Sequence, residues 1–351
     1  MKRQRDHAEF GALIALFAGA LSTGGAGILV RLSETGPTAT AFWRGCLALP
    51  LLAAWALLEP ARHDTELEHR PSGSSVGRLL ASFRDPGFLW AGAFFAGDLA
   101  LWHWSLLLTS IAASTLEASL APLVVILFAW LRWRERPSTA FMGATALALV
   151  GMLLIVSPKF GHGGSAFLGD ALGLGTACFF AAYILAVARL RARYGTGIVM
   201  FNSTVVFTVL LLPLALSQKF VPDTLRGWAI VAGCAVAAQT LGQGLIAYAL
   251  AHLRPTFSSL GLLVQTLGAA TSAWLVLGER LAPIQIVGAL VIVGGIALAR
   301  SARKGGGPVP AAASEGGAAA AIAPTPATAA APTAMAEPAA AATNSLGVVR
   351  D

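Results

Sequence analysis

The chain has 351 residues, 56% hydrophobic and only 12% charged, with a mean hydropathy of +0.71, which excludes a water-soluble globule whose averages are roughly 45–50% and 25%. Its formal charge of +7 is spread over short stretches between apolar runs, which excludes a nucleic-acid-binding module with one solvated basic face. Cys46, Cys178 and Cys234 lie scattered inside apolar runs, with neither metal-ligand spacing nor a disulfide framework, and read as packing residues.

In chain order, Lys2, Arg3 and Arg5 precede an apolar run that begins at Phe10 and contains the triplet Ala18-Gly19-Ala20. A signal peptide would show this order, but the run continues to Val30, beyond the 7–15 residues of a signal core. The expected class is an all-α integral membrane protein with ten transmembrane helices near 10–30, 38–58, 88–108, 112–131, 138–157, 167–188, 197–216, 227–251, 256–277 and 283–300. Each stretch is near the roughly 20 residues that cross a bilayer at 1.5 Å per residue. The one long connection, Glu59 to Asp85, is polar, and the others are too short to hold a domain, so no soluble catalytic module is expected. From Ser301 onward Ala, Pro, Gly and Thr dominate, so residues 301–351 read as a disordered tail, with Pro324, Pro326, Pro332 and Pro338 interrupting helix.

Placing the N-terminus inside puts seventeen Lys and Arg on the cytoplasmic side and five outside, Arg31, Lys159, Lys219, Arg226 and Arg280. Both termini are therefore expected in the cytoplasm, and the bilayer is the first partner. Shifting the sequence by 144 residues aligns Ser114 with Ser258, Ala129-Trp130-Leu131 with Ala273-Trp274-Leu275, Glu135-Arg136 with Glu279-Arg280, and Gly151 with Gly295. Five helices per unit is an odd number, so the second copy enters from the opposite side as an inverted repeat, the symmetry of an alternating-access transporter.

These residues resemble the ten-helix drug/metabolite transporter superfamily, specifically the EamA-domain family. The resemblance rests on Trp130, Leu131 and Glu135 and their copies Trp274, Leu275 and Glu279, with Pro122, the Gly-rich fifth and tenth helices, Arg44, and the seam Tyr248-Ala249-Leu250. It implies two tandem units, 8–157 and 167–300, in an inner-membrane exporter of amino acids or other metabolites. Its central cavity would be contributed by both halves. Thr266 stands where the first unit has Pro122, and Glu117 is charged where the family commonly is not.

Ionisable groups inside hydrocarbon cost about 2.5–3.5 kcal/mol on insertion scales, so Arg44, Asp98, His103 and Glu117 each need a partner or a cavity. Asp98 falls near the midplane and is the better proton carrier; Arg44, His103 and Glu117 lie shallower, with Glu117 the better ion-pair partner. The bland alternative is a set of structural pairs. Gln239, Gln243 and Gln265 offer uncharged contacts or interhelical hydrogen bonds. Trp43, Trp102, Trp104, Tyr183 and Tyr248 are candidate cavity aromatics, while Trp90, Trp133 and Trp228 read as interface anchors. The loop Gly161-His162-Gly163-Gly164 lacks the Lys and Ser/Thr of a phosphate loop, so no nucleotide-driven pump, cofactor or metal is expected, and energy comes from a gradient or exchange. A membrane-embedded enzyme and a non-transporting scaffold are the other classes. Asp98 to His103 is a five-residue step, about 140° around a helix, which disfavours convergent metal ligands.

Overall fold

The computed structural model describes residues 2–59, 75–108, 119–133, 137–157, 167–278 and 282–305. Glu117, the side chain of His103, the pairs Glu135-Arg136 and Glu279-Arg280, the loop around His162 and the tail from 306 lie outside the described residues. Every regular element among those described is helical: α1 Lys2–Leu32, α2 Pro37–Leu58, α3 Ser75–Ser82, α4 Pro86–Leu108, α5 Ala121–Trp133, α6 Thr139–Val156, α7 Phe167–Arg191 and α8 Thr196–Leu216. They are followed by α9 Leu225–Leu250, α10 Pro255–Gly261, α11 Val264–Leu277 and α12 Pro283–Gly305.

Seven described helical stretches are long and apolar enough to cross a bilayer: His7–Leu32, α2, Ala171–Arg191, α8, α9, Pro255–Val276 and Pro283–Ala302. The stretches expected to be the fourth and fifth crossings appear as the shorter apolar helices Ala121–Arg132 and Thr139–Ile155. Bulky apolar side chains such as Leu131, Leu275, Leu290 and Val209 stand more than half exposed on the outside of the bundle, a pattern that water would penalise and acyl chains would not. The repeated Trp-Leu pair belongs to this outer surface in both copies, with Trp130 and Trp274 each about half exposed.

Helix starts carry the capping chemistry expected of their sequences. Ser138 accepts the Phe141 N–H at the start of α6 (3.2 Å), and Thr224 accepts the Gly227 N–H at the start of α9 (3.0 Å). Two caps come from distant helices. Glu59, just past α2, accepts the Thr196 and Gly197 N–H groups of α8 at 2.9 and 2.7 Å. Gln218, just past α8, accepts the Thr38 N–H of α2 through Oε1 at 3.0 Å and donates Nε2 to the Thr38 hydroxyl at 3.2 Å. Gly278 ends α11 in the left-handed region at φ 67°, its N–H returning to the Trp274 carbonyl, a conformation that glycine adopts without strain.

Small residues set the closest helix approaches. A Cβ on Gly151 of α6 would lie 2.7 Å from the Gly288 carbonyl and the Ile292 N of α12, and one on Gly295 would lie 2.8–2.9 Å from backbone atoms of Ala148 and Ala144. The two helices run antiparallel, with Gln285 Nε2 donating to the Ile155 carbonyl at 3.0 Å farther along. At the centre of the bundle, α1 lies against α9 and α11: a Cβ on Gly19 would meet the Gly242 carbonyl at 2.7 Å, and one on Gly268 the Leu21 carbonyl at 2.5 Å.

Two of the expected crossings are not uniform α-helix. The ninth expected helix breaks at a turn over Leu262-Leu263, where the N–H groups of Leu263, Gln265 and Thr266 reach back three residues instead of four. A matching turn at Ser119-Leu120 precedes α5. The eighth is unbroken but changes winding, with Ala235–Gln243 in π-helical form. Arg191, one of the seventeen residues counted as cytoplasmic, is buried: Nε donates to the Ala247 carbonyl at 3.1 Å and Nη1 to that of Tyr194.

Candidate functional site: a buried arginine and aspartate between the two halves

The polar interior begins at Arg44 on α2. Gly45 beside it has no side chain, and Phe207 and Thr208 of α8 fill the space where its Cβ would be. The Arg44 guanidinium lies 5.5 Å above the Phe95 ring of α4, a cation–π contact of about 0.5–2 kcal/mol. Phe95 in turn stacks on Tyr183 of α7 at 4.4 Å and meets Phe207 edge-on at 5.1 Å. Asp98, one helical turn beyond Phe95, is buried and within electrostatic reach of Arg44, as are Tyr183 and Cys234.

The guanidinium is not neutralised in the ordinary way. Its Nε and Nη2 are sealed from solvent and, among the described residues, hydrogen-bond to nothing, the Asp98 carboxylate included. A buried donor with no acceptor costs roughly 1–3 kcal/mol, more when charged, so the surrounding fold holds this group against a penalty.

The second half supplies amides and hydroxyls. Gln239 donates Nε2 to the Thr204 hydroxyl of α8 at 2.9 Å, leaving its buried Oε1 without a partner, and the Thr208 hydroxyl one turn on is also buried and unpaired. The Tyr183 hydroxyl donates to Gln243 Oε1 at 3.5 Å. The π winding matters here. In an α-helix the five-residue step from Cys234 to Gln239 turns about 140° away, whereas the five-residue hydrogen bonds of a π-helix close that step into nearly one turn. The Thr240 hydroxyl, donating to the Ala235 carbonyl five residues back at 3.0 Å, follows the same pitch.

Of the residues singled out from sequence, the structure brings Arg44, Asp98, Tyr183, Gln239 and Gln243 to this interior. Gln265 stands elsewhere: its carbonyl lies against Gly24 of α1, and its Nε2 is buried without a partner. Tyr248 packs on the His252 ring at 4.8 Å and is 38% exposed. Trp102 is half-buried on α4, Trp104 half exposed. Trp43 donates to the Phe220 carbonyl at 2.7 Å and packs edge-on against Trp228 at 4.9 Å, so that Trp228 is a half-buried partner and not a free anchor. Sequence reasoning passed over Phe95, Thr204, Thr208 and Cys234; the run Asn202-Ser203-Thr204 with Thr208, polar in the middle of an apolar helix, was the available signal.

The arrangement is a positive and a negative group that do not satisfy each other, an aromatic stack, and amide and hydroxyl groups. They are contributed by α2 and α4 on one side and α7, α8 and α9 on the other. These are groups of the kind that hold polar molecules by charge and hydrogen bonding. Among the described residues no three His, Cys, Asp or Glu side chains stand together as a metal site.

The sequence profile of the EamA-like transporter family matches the chain twice, over residues 10–157 and 167–301. The chain is 29% identical over 231 residues to the pseudopaline exporter CntI of Pseudomonas aeruginosa, in strains UCBPP-PA14 and PAO1, covering 66% of this chain and 80% of each relative. In fold it is similar to a crystal structure that shares 19% identity, with a TM-score of 0.63 over 86% of this chain and 98% of the other.

Proposed function

The chain belongs to the EamA-like transporter family, as two tandem repeats in a multi-pass membrane transporter of small molecules, and from that premise we propose that it exports a small polar metabolite by alternating access. The observation that carries this reading is the interior built from both halves, in which Arg44 and Asp98 face each other's field without closing a pair. A fixed site shared by two half-bundles is what a rocking mechanism needs.

Ten crossings in two inverted halves, 8–157 and 167–300, complete the proposal. The reciprocal glycine contacts of α6 and α12 support it, because the shift that superposes Gly151 on Gly295 also superposes Ala144 and Ala148 on Gly288 and Ile292, the residues each glycine touches. The exchanged caps of Glu59 and Gln218 and the turns that precede α5 and α11 support it in the same way. The excess of Lys and Arg on one side of the expected topology supports cytoplasmic termini in an inner membrane, and the exporter role of the CntI relatives supports outward transport. Asp98 is the coupling candidate for protons, since a carboxylate in a low-dielectric interior can carry one across.

The test is efflux from liposomes holding purified protein, with Asp98→Asn checked for folding, alongside reporter fusions at Lys304 and near Lys159. Wild-type transport that Asp98→Asn abolishes or renders insensitive to a pH gradient is the expected result, with reporters on opposite sides. Unchanged rate and pH dependence in Asp98→Asn removes the site assignment, and reporters on one side remove the inverted repeat.

A further inference from the structure

We propose that the Nε–Nη2 edge of Arg44 is the substrate's carboxylate anchor, with Asp98 and the Gln239 carbonyl oxygen receiving a donor or cationic nitrogen of the same molecule; this rests on the transport reading above. The two unpartnered nitrogens of Arg44 are not an arbitrary pair. They lie on one edge of the guanidinium plane and present two parallel N–H groups at the spacing of a carboxylate's oxygens, the bidentate fork that a lysine cannot offer. The guanidinium carbon lies 5.5 Å over the Phe95 ring, a cation–π contact that favours one placement of this edge before any ligand arrives.

Three observations point to a two-ended ligand. Asp98 acts on Arg44 through space but does not occupy either nitrogen, so among the described residues no carboxylate completes the fork. Gln239 has its amide orientation fixed by Nε2–H donation to Thr204, which leaves Oε1 as an acceptor with nothing to accept. Thr208, one turn from Thr204, fills the position beside Arg44, which ties the two ends into one interior. A doubly charged phosphate fits this set poorly, because one guanidinium faces it and one carboxylate repels it, whereas a carboxylate with a nearby donor balances both ends.

The test loads liposomes containing the purified full chain with an equimolar mixture of alanine, histidine and methionine, their carboxamides, their decarboxylated amines, and inorganic phosphate, and reads release by mass spectrometry. Release of the carboxylates about tenfold or more faster than of the matched amides and amines is the expected wild-type result, because a site built for a group rejects the analogue lacking it. Arg44→Gln should bring that ratio close to one while Arg44→Lys keeps part of it. Wild-type release of amines, amides or phosphate as fast as carboxylates overturns the anchor and leaves transport standing, as does full discrimination in a folded Arg44→Gln. Should Arg44→Gln not fold, the wild-type ratio decides, with Gln239→Leu expected to lower it. Release of nothing from wild-type liposomes overturns the anchor and the transport reading together.

Discussion

Glu59 and Gln218 do the same work on opposite helices: the sequence offset that carries Gly36 onto Gly195 carries Glu59 onto Gln218, and each side chain caps the start of the helix that the other follows. The difference between them is charge. Glu59→Ala should destabilise the folded protein by about 1–2 kcal/mol, combining loss of a cap with loss of an anion at a helix N-terminus. Gln218→Ala should cost less, about 0.5–1 kcal/mol. Unfolding of purified protein in detergent checks the order, and equal effects would show that the charge contributes nothing.

Gly151 and Gly295 should respond alike to a side chain. Backbone atoms of the opposing helix occupy the space of each Cβ, so Gly151→Val and Gly295→Val should each cost about 1–3 kcal/mol. Gly143, on the same α6 helix, has nothing within 4 Å of its Cβ position, and Gly143→Val should change stability by less than about 0.5 kcal/mol. Melting temperatures of the three variants side by side test the pairing, which a neutral Gly295→Val would refute.

Arg191 ties α7 to the last turn of α9 through carbonyl acceptors, and its removal leaves those carbonyls buried without donors. Arg191→Met should cost about 1.5–3 kcal/mol, and Arg191→Lys should recover little because one ammonium does not reproduce the fork. The measurement is yield and melting of folded protein. A lysine variant as stable as wild type would mean that charge alone suffices there.

The Glu34 carboxylate is held below the usual carboxylate range by the Thr224 hydroxyl first, and then by the N–H groups of Thr224 and Asp223. A lowered folded value stabilises the fold above the unfolded pKa, and that contribution fades as pH falls through the folded one. Wild type should therefore be more stable than Glu34→Gln at neutral pH, the gap closing as pH falls below the ordinary carboxylate range. Thermal unfolding across that range checks it, and a gap that widens on acidification would reverse the assignment.

Much of this was legible in the sequence because the bilayer makes polar residues conspicuous. Arg44, Asp98, Tyr183, Gln239 and Gln243 stood out against apolar neighbours, and all five are in the interior. Thr204 and Thr208 did not, because helical threonines can bond their own backbone and cost little in an apolar run. Arg191 counted in the sequence only as a cytoplasmic charge, and its burial was not legible there because tertiary packing alone brings the carbonyls to it. The turn at Leu262-Leu263 contains no proline, and Gly261 just before it, one of many glycines in these helices, does not announce a turn. The π winding of α9 is equally silent; the Ser22 hydroxyl of α1 donating to the Ala237 carbonyl, and Gly19 admitting the Gly242 carbonyl, are long-range facts.

That winding gives α9 a property of engineering more than of chemistry. Its first turn is pinned by Glu34 and its last by Arg191, so the distance and rotation between the two ends are prescribed from outside. In a uniform α-helix one residue more or less would turn everything beyond it by about 100° and slide it 1.5 Å, throwing one pinned end out of alignment. A wider coil between the pins works as an expansion joint: it takes up the surplus locally, lets both ends keep their moorings, and makes the middle of α9 the place where a change in residue count is absorbed without displacing either end of the helix.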